Sequence, residues 1–420
     1  MKITISTFGA RGDVQPYLAL AVGLQRAGHR VTLATSTGFT EWIQSYGVQA
    51  HPTGVGMQEA AQQPAAQAAL RSRNPIRLIR LMRDILGQSG GARDAVWAAI
   101  EGADLVIQSP TGTGALEAAS TRGIPAVLAS PVPFAPTRAF PSLFLGMPAF
   151  SLGAGYNVFT HRLMQRVLWS AMGGPLTNPL RRQLGLQGWS SYTELLAYSR
   201  TLGTPMLYGY SAHVLPRPAD WDAFQQITGY WFLEAPPNWS PDAGLVRFLD
   251  SGPPPVYIGF GSMSQGDAKR RTRLALRALE LSGQRGVLLT GWGGLARQAP
   301  PPHVCFVDSV PHAWLFPRLA AVVHHGGAGT TGAGLHAGLP SLLTPFAADQ
   351  AAWAERVAQL GVGPRLPGSG QLTAAKLAEA IQTAVTDTAL RARAAALAEK
   401  IRAEDGLARA VEIIERRAGS

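Results

Sequence analysis

Apolar positions along this chain fall into short runs and longer stretches with a single apolar face, and their regular alternation predicts strands and helices in turn. Lys2–Phe8 alternates as a strand, breaks at Gly9-Ala10-Arg11-Gly12-Asp13, and gives way to Val14–Ala27, apolar at helical spacing with Pro16 near the helix start. Arg30–Thr35 reads as a strand, Phe39–Tyr46 as a helix, and Gly47–His51, Asp104–Gln108 and Pro125–Ala129 as further strands. A fresh series begins with Pro255–Phe260 and continues through Gly286–Thr290, His303–Val307, Leu319–Val323 and Pro340–Thr344. Strands that alternate with helices imply parallel sheets, so the fold class is α/β with two Rossmann-like, doubly wound domains.

Length agrees, because 420 residues exceed one ordinary core. The proline-rich stretches Leu215-Pro216-Arg217-Pro218 and Ala235-Pro236-Pro237-Asn238 bracket a strand-like segment, Gln226–Phe232, and read as the connection. The expected division is 1–215, a linker 216–240, a second domain 241–395, and a last helical segment 396–420 that crosses back to brace the first domain.

The net charge of +11 is mostly arginine, yet no basic run is dense enough for nucleic acid. The single cysteine, Cys305, excludes an internal disulfide and fits a reducing, cytoplasmic setting. No stretch has the form of a signal peptide or reaches the ~20 apolar residues of a membrane span. Membrane contact is therefore expected to be peripheral. Arg73, Arg77, Arg80 and Arg83, interleaved with apolar residues over 71–86, form a basic amphipathic pattern that suits either an anionic membrane or packing on the chain's own domain.

In doubly wound sheets ligands sit beyond the carboxyl ends of the strands, which is where three candidate stretches fall. His324-His325-Gly326-Gly327-Ala328-Gly329-Thr330-Thr331 has the context strand, glycine turn, helix start. It reads as a tight turn or as a phosphate cradle, with helix N–H groups supplemented by His325, Thr330 and Thr331. Asp13 is placed for chemistry or caps the helix after it. Asp349 and Gln350 can accept from and donate to sugar hydroxyls, or Asp349 opens the next helix. Ser262 lacks the glycine of a nucleophile elbow and suits donation to a phosphate.

Between Pro131 and Trp169, bulky apolar residues including Phe134, Phe140, Phe144, Met147 and Phe150 lack a clear period. They suit a loop-borne wall around a large apolar ligand, or core packing. Asp220-Trp221-Asp222 has the D-x-D form of some metal sites but lies in the linker, where carboxylates are usually solvated. His312, His324, His325 and His336 lack metal-ligand spacing, and no metal is expected.

Several ordered motifs carry a resemblance. They are Arg11-Gly12-Asp13-Val14-Gln15-Pro16, Gly252–Met263, Val310-Pro311-His312 with Trp314-Leu315-Phe316-Pro317, the histidine–glycine stretch, and Asp349-Gln350. Together they resemble the UDP-dependent glycosyltransferases of GT-B fold, most of all the sterol glucosyltransferases and their bacterial relatives. The resemblance implies two domains facing across a cleft, with the donor in the second and the acceptor in the first. It implies Asp13 as general base and a diphosphate held by Ser262, His325, Gly327, Gly329 and Thr330. Asp349 and Gln350 would hold the hexose, Val310 would meet uracil through its backbone, Trp292 would line the donor side, and Arg11 and Gly12 would reach the donor from the base's loop. Phe134, Phe140, Phe144, Met147 and Phe150 would line the acceptor pocket.

Ala10 stands where the family often has serine. The histidine base and uracil-stacking tryptophan of related plant enzymes are missing at Asp13 and near Val307-Asp308.

The implied reaction is inverting, metal-independent transfer of glucose from UDP-glucose to a sterol or other lipophilic alcohol. UDP-sugar is a co-substrate and no cofactor is needed. The competing readings are glycosylation of an antibiotic, flavonoid or other secondary metabolite, with a dTDP-sugar as a further donor, and a nucleotide-sugar-binding module without catalysis.

Overall fold

A computed structural model describes residues 1–54, 56, 90–110, 114–145, 151–261, 268–291 and 294–419, with the backbone alone for 90–93. The segment 71–86, Met147, Phe150, Ser262 and Trp292 lie outside these residues.

The first sheet contains β1 (Lys2–Ser6), β2 (Arg30–Thr35), β3 (Gln49–Pro52), β4 (Leu105–Gln108), β5 (Ala126–Ser130), β6 (Met206–Tyr208) and β7 (Gln225–Ile227). Its helices are α1 (Arg11–Arg26), α2 (Thr40–Gln44), α3 (Gly90–Ala99), α4 (Ala115–Thr121), α5 (Ala154–Leu168), α6 (Gly174–Gln183) and α7 (Tyr192–Thr201). The strand order is β3-β2-β1-β4-β5-β6-β7, and every pair is parallel. The segment Gln226–Phe232, read as part of the connection, thus supplies the last strand of this sheet.

The second sheet contains β8 (Val256–Gly259), β9 (Gly286–Leu289), β10 (Val304–Val307), β11 (Ala321–His324) and β12 (Ser341–Leu343), in the order β10-β9-β8-β11-β12. Its helices are α8 (Ala243–Asp250), α9 (Ala268–Ser282), α10 (His312–Leu315), α11 (Ala328–His336), α12 (Gln350–Gln359), α13 (Ala374–Thr386) and α14 (Thr388–Arg402). The last helix, α15 (Gly406–Ala418), packs on α1 and buries Ala410, Ile413 and Ile414 in the first domain's core with Ile3, Leu20 and Leu33. Among the described helices none is long and apolar enough to cross a membrane.

Each sheet reverses its strand order once, at β1/β4 and at β8/β11. Such a reversal sends neighbouring connections to opposite faces and opens a crevice at the carboxyl edge. The loop with Asp13 leaves β1 and the loop with His325 leaves β11, so topology alone puts both at crevices.

The halves share an apolar seam. Tyr208, Tyr210 and Trp221 cluster with Leu335, Trp353, Leu397 and Ile401. Tyr230 fits against Gly332 of α11, where a Cβ would stand 2.6 Å from the ring. Arg356 of α12 also donates through Nε to the carbonyl of Val214. These contacts fix α11 and α12 against the first domain.

Candidate active site

The chain leaves β1 through Thr7, Phe8, Gly9 and Ala10 and enters α1 at Arg11, earlier than the apolar pattern predicts. Asp13 is therefore in the helix's first turn. Its Oδ2 accepts the Ala10 N–H at 2.8 Å, while the Thr7 hydroxyl donates to the Asp13 carbonyl at 3.0 Å. The carboxylate thus closes the start of α1 by accepting the N–H of the residue before it. Water reaches Asp13 through the cleft, but protein encircles it, and this desolvation pushes its pKa up to about 6. The Ala10 N–H works against that shift and the charge of Asp349 adds to it.

On the opposite side, His325 is wedged between two glycines. A Cβ on Gly261 would stand 2.7 Å from the imidazole Cε1, and one on Gly327 would stand 2.6 Å from Nε2. Burial lowers the His325 pKa to about 4, so the ring is neutral at pH 7 with one N–H to offer. Its Nδ1 is buried with no partner among the described residues. Gly327 caps α11, and Gly329 and Thr330 lie in that helix's first turn, whose N–H groups have no intrahelical acceptor. Thr331 does not join them. Its hydroxyl is buried and donates back to the Gly327 carbonyl at 2.9 Å, so the expected third side-chain donor instead closes the turn. His324 is wholly buried, and its Nδ1 accepts the Gly326 N–H at 3.0 Å.

The loop after β12 divides the work expected of Asp349 and Gln350. Gln350 is buried, and its Oε1 accepts the N–H groups of Phe346 at 2.8 Å and Ala347 at 3.1 Å. It shapes the loop from within rather than facing the cleft. Asp349 is half-buried and makes no side-chain cap; its Oδ2 instead accepts the Trp353 indole N–H at 2.7 Å. Desolvation raises its pKa to about 6, and the Trp353 bond pulls the other way. Ala348 is at φ 56°, the one described non-glycine residue with positive φ. Strain of this kind costs ~1–3 kcal/mol and persists where neighbours over-determine it; here Gln350 and the Asp349–Trp353 bond do so.

Arg11 spans the two halves. It stacks over Trp42 at 4.7 Å and donates through Nη1 to Ser309 Oγ at 3.4 Å. Val310 follows directly, buried beyond the end of β10. His312 stacks on Phe316 with ring centres 4.3 Å apart and lies 3.5 Å from the Tyr257 hydroxyl. Ser309 and Trp42 escape sequence reasoning because each acts through a contact that no local pattern announces, whereas the i, i+4 spacing of Asp349 and Trp353 is a local signal for theirs.

On the acceptor side, Phe134 belongs to the core. It meets Tyr192 edge-on at 4.8 Å. Phe140 and Phe144 are half-buried against the same cluster, so among the described residues of the named apolar wall these two remain partly accessible. The D-x-D carboxylates are structural rather than merely solvated. Asp220 accepts from the Thr137 hydroxyl at 2.6 Å and the Arg138 N–H at 2.7 Å, and Asp222 pairs with Arg200 at 2.9 Å. Among the described residues, no three His, Cys, Asp or Glu side chains converge as a metal ion requires.

Comparison with known proteins follows the same division. Residues 3–138 match the glycosyltransferase family 28 N-terminal domain, and residues 294–416 match the C-terminal domain of erythromycin biosynthesis protein CIII-like proteins. Structures of similar shape include the glycosyltransferase SnogD from Streptomyces nogalater, with TM-score 0.66, 19% identity, and 100% of this chain and 99% of that one covered. The chain has the GT-B fold. SsfS6 from Streptomyces sp. SF2575, solved with thymidine diphosphate, shares the GT-B arrangement at TM-score 0.61 and 20% identity, over 99% of each chain. In sequence, the GT-B chain is 36% identical over 99% of its length to a sterol 3-beta-glucosyltransferase of Cryptococcus neoformans. It is 34% identical over 99% of its length to one of Emericella nidulans. It spans 27% and 30% of those proteins.

Proposed function

We propose that this GT-B protein transfers glucose from UDP-glucose to the hydroxyl of a sterol, with inversion at the anomeric carbon and without a metal. The observation that carries the reading is the placement of Asp13 after β1 and Asp349 after β12, one at each sheet's carboxyl edge, with Arg11 beside Asp13 reaching Ser309 of the other half. A bound sugar between them would meet a base on the acceptor side and a hydroxyl-binding carboxylate on the donor side. The likeness to fungal sterol 3-beta-glucosyltransferases supports the acceptor class.

In this mechanism the acceptor oxygen attacks the anomeric carbon from the first-domain side as the bond to the diphosphate oxygen breaks. The bonding pair leaves with UDP, and the hydroxyl proton passes to Asp13. A carboxylate with its pKa near 6 accepts that proton late, when the attacking oxygen has become acidic. Charge building on the diphosphate meets the first-turn N–H groups of α11, Thr330 and the neutral N–H of His325. Preorganised dipoles act strongly where water is excluded. Asp349, held by Trp353, takes the hexose hydroxyls, Val310 offers its backbone to uracil, and Arg11 with Gly12 closes over the donor. Ser262, Trp292 and Gln350 complete the donor side, Gln350 by shaping the loop. Phe140 and Phe144, with Met147 and Phe150, face the acceptor.

A second reading rests on the erythromycin-type C-terminal match and on SsfS6 with thymidine diphosphate. In it the donor is a dTDP-sugar and the acceptor a secondary metabolite. Incubating the protein with UDP-glucose or dTDP-glucose and a sterol, a macrolide or a flavonoid, with products read by mass, separates the two. A steryl glucoside made from UDP-glucose is expected. Product from the macrolide or flavonoid alone selects the second reading. UDP release without any acceptor-dependent product would make the chain a hydrolase, and binding of UDP-glucose with no UDP released would reduce it to a nucleotide-sugar binder.

A further inference from the structure

Helix α5 is built inside out. Its buried residues are Asn157, Thr160, His161 and Gln165, all polar, and their spacing places them on one face. That face grips the loop of the candidate acceptor wall. Asn157 donates to the Arg138 carbonyl at 2.8 Å, His161 lies 3.1 Å from the Phe140 carbonyl, and Gln165 donates to the Phe134 carbonyl at 3.0 Å. The Ser142 N–H donates to Thr160 at 3.0 Å.

The outward face is apolar and basic. Phe159 is 59% exposed and Leu163 43%, with Leu152, just ahead of the helix, 69% exposed. Arg162 and Arg166, also exposed, complete an i, i+3, i+4, i+7 stripe with Phe159 and Leu163. Between Glu117 and Glu194 the chain contains six arginines and no acidic residue, so the stripe's own stretch of chain brings it no carboxylate.

A helix that leaves Phe159 and Leu163 exposed while burying its polar groups lacks a partner on the outer side among the described residues. Apolar side chains interleaved with arginines suit the boundary between lipid headgroups and acyl chains, where guanidinium groups meet phosphates and the rings enter the hydrocarbon. We propose that the outward face of α5 docks on an anionic lipid surface. The purpose of that docking, delivering a membrane-dissolved alcohol to the loop that α5 holds, rests on the sterol reading. The docking itself is measurable without donor or acceptor.

The test uses the full chain and sterol-free vesicles of phosphatidylcholine, alone or mixed with phosphatidylserine, read by co-sedimentation. Binding to the mixed vesicles at least about tenfold tighter than to neutral ones, and weakened by salt, is expected. Phe159→Ser with Leu163→Ser should lose at least about tenfold. Arg162→Gln with Arg166→Gln should lose about fivefold per arginine on anionic vesicles only. Because these side chains are exposed, the variants should keep the wild-type melting temperature and their turnover of detergent-dispersed sterol. No vesicle binding, or equal binding by wild type and both variants, overturns the proposal. So does self-association that the Phe159/Leu163 variant abolishes, which assigns the face to a second copy. Vesicle binding as expected with no steryl glucoside formed leaves the docking standing and removes the sterol reading.

Discussion

The Asp13 carboxylate accepts the Ala10 N–H at 2.8 Å, and only a glycine at position 9 leaves room for it. Gly9 has φ 144°, and a Cβ there would stand 2.4 Å from the carboxylate Oδ2. Gly9→Ala must therefore either push Asp13 aside or shift the loop. Misplacing a catalytic group by about 1 Å costs about a hundredfold in rate, so we expect kcat to fall about that far. The KM for UDP-glucose should change little, since most of the donor-holding groups lie on the second domain. Urea unfolding should report a loss of about 1–3 kcal/mol. Wild-type kcat in this variant would detach Asp13 from the chemistry.

Asp13 and Asp349 both have pKa values raised to about 6 by desolvation, and the charge of Asp349 adds to the shift on Asp13. A general base must be ionised, so kcat should rise with pH through about 6 as the pair loses protons. Removing the neighbouring charge in Asp349→Asn makes ionisation of Asp13 easier. The acid limb of the kcat profile should then move to lower pH, even as the variant's KM for donor rises. A limb that stays in place would show that the two carboxylates do not feel each other during turnover.

Glu117 in α4 is wholly buried, and desolvation raises its pKa to about 7. Its nearest cation, Arg181 Nη1, stands 3.6 Å away, beyond hydrogen-bond length, so attraction offsets only part of the burial cost. The folded-state pKa is above the unfolded value. The stability held by protonated Glu117 is thus fully present below the ordinary glutamate range and is lost as pH rises through about 7. Glu117→Gln should remove this contribution. Its stability relative to wild type, from urea unfolding, should be more favourable at pH 8 than at pH 5, by an amount on the order of a few kcal/mol. A pH-independent difference would mean that Arg181 fully compensates the charge.

The strands of both sheets were legible because each apolar run ends at glycine, proline or a polar turn. β6, a three-residue strand between Pro205 and Gly209, is too short to show a period. The start of α1 at Arg11 escaped because its first turn, Arg11-Gly12-Asp13, has no apolar residue to count. The candidate loops were legible from glycine and carboxylate at strand ends. What they touch was not: the Arg11–Ser309 bond joins residues 298 apart in sequence. Gln350 misled because a polar side chain reads as exposed, whereas its carbonyl here satisfies two turn N–H groups. Helix α5 hid its character for the opposite reason. Its stretch shows no clear apolar period because polar Asn157, Thr160, His161 and Gln165 take the buried face, while Phe159 and Leu163 stand exposed.

The central assignment is tested most directly by Asp13→Asn, with steryl glucoside formation and UDP affinity measured on the same protein. Asparagine keeps an oxygen acceptor for the Ala10 N–H, so the loop and the donor side should persist while the base is lost. We expect UDP affinity within about twofold of wild type and turnover reduced by at least about a hundredfold, at the lower end of what positioned general bases contribute. Turnover near the wild-type value, with UDP still bound, would contradict the assignment of Asp13 as the base.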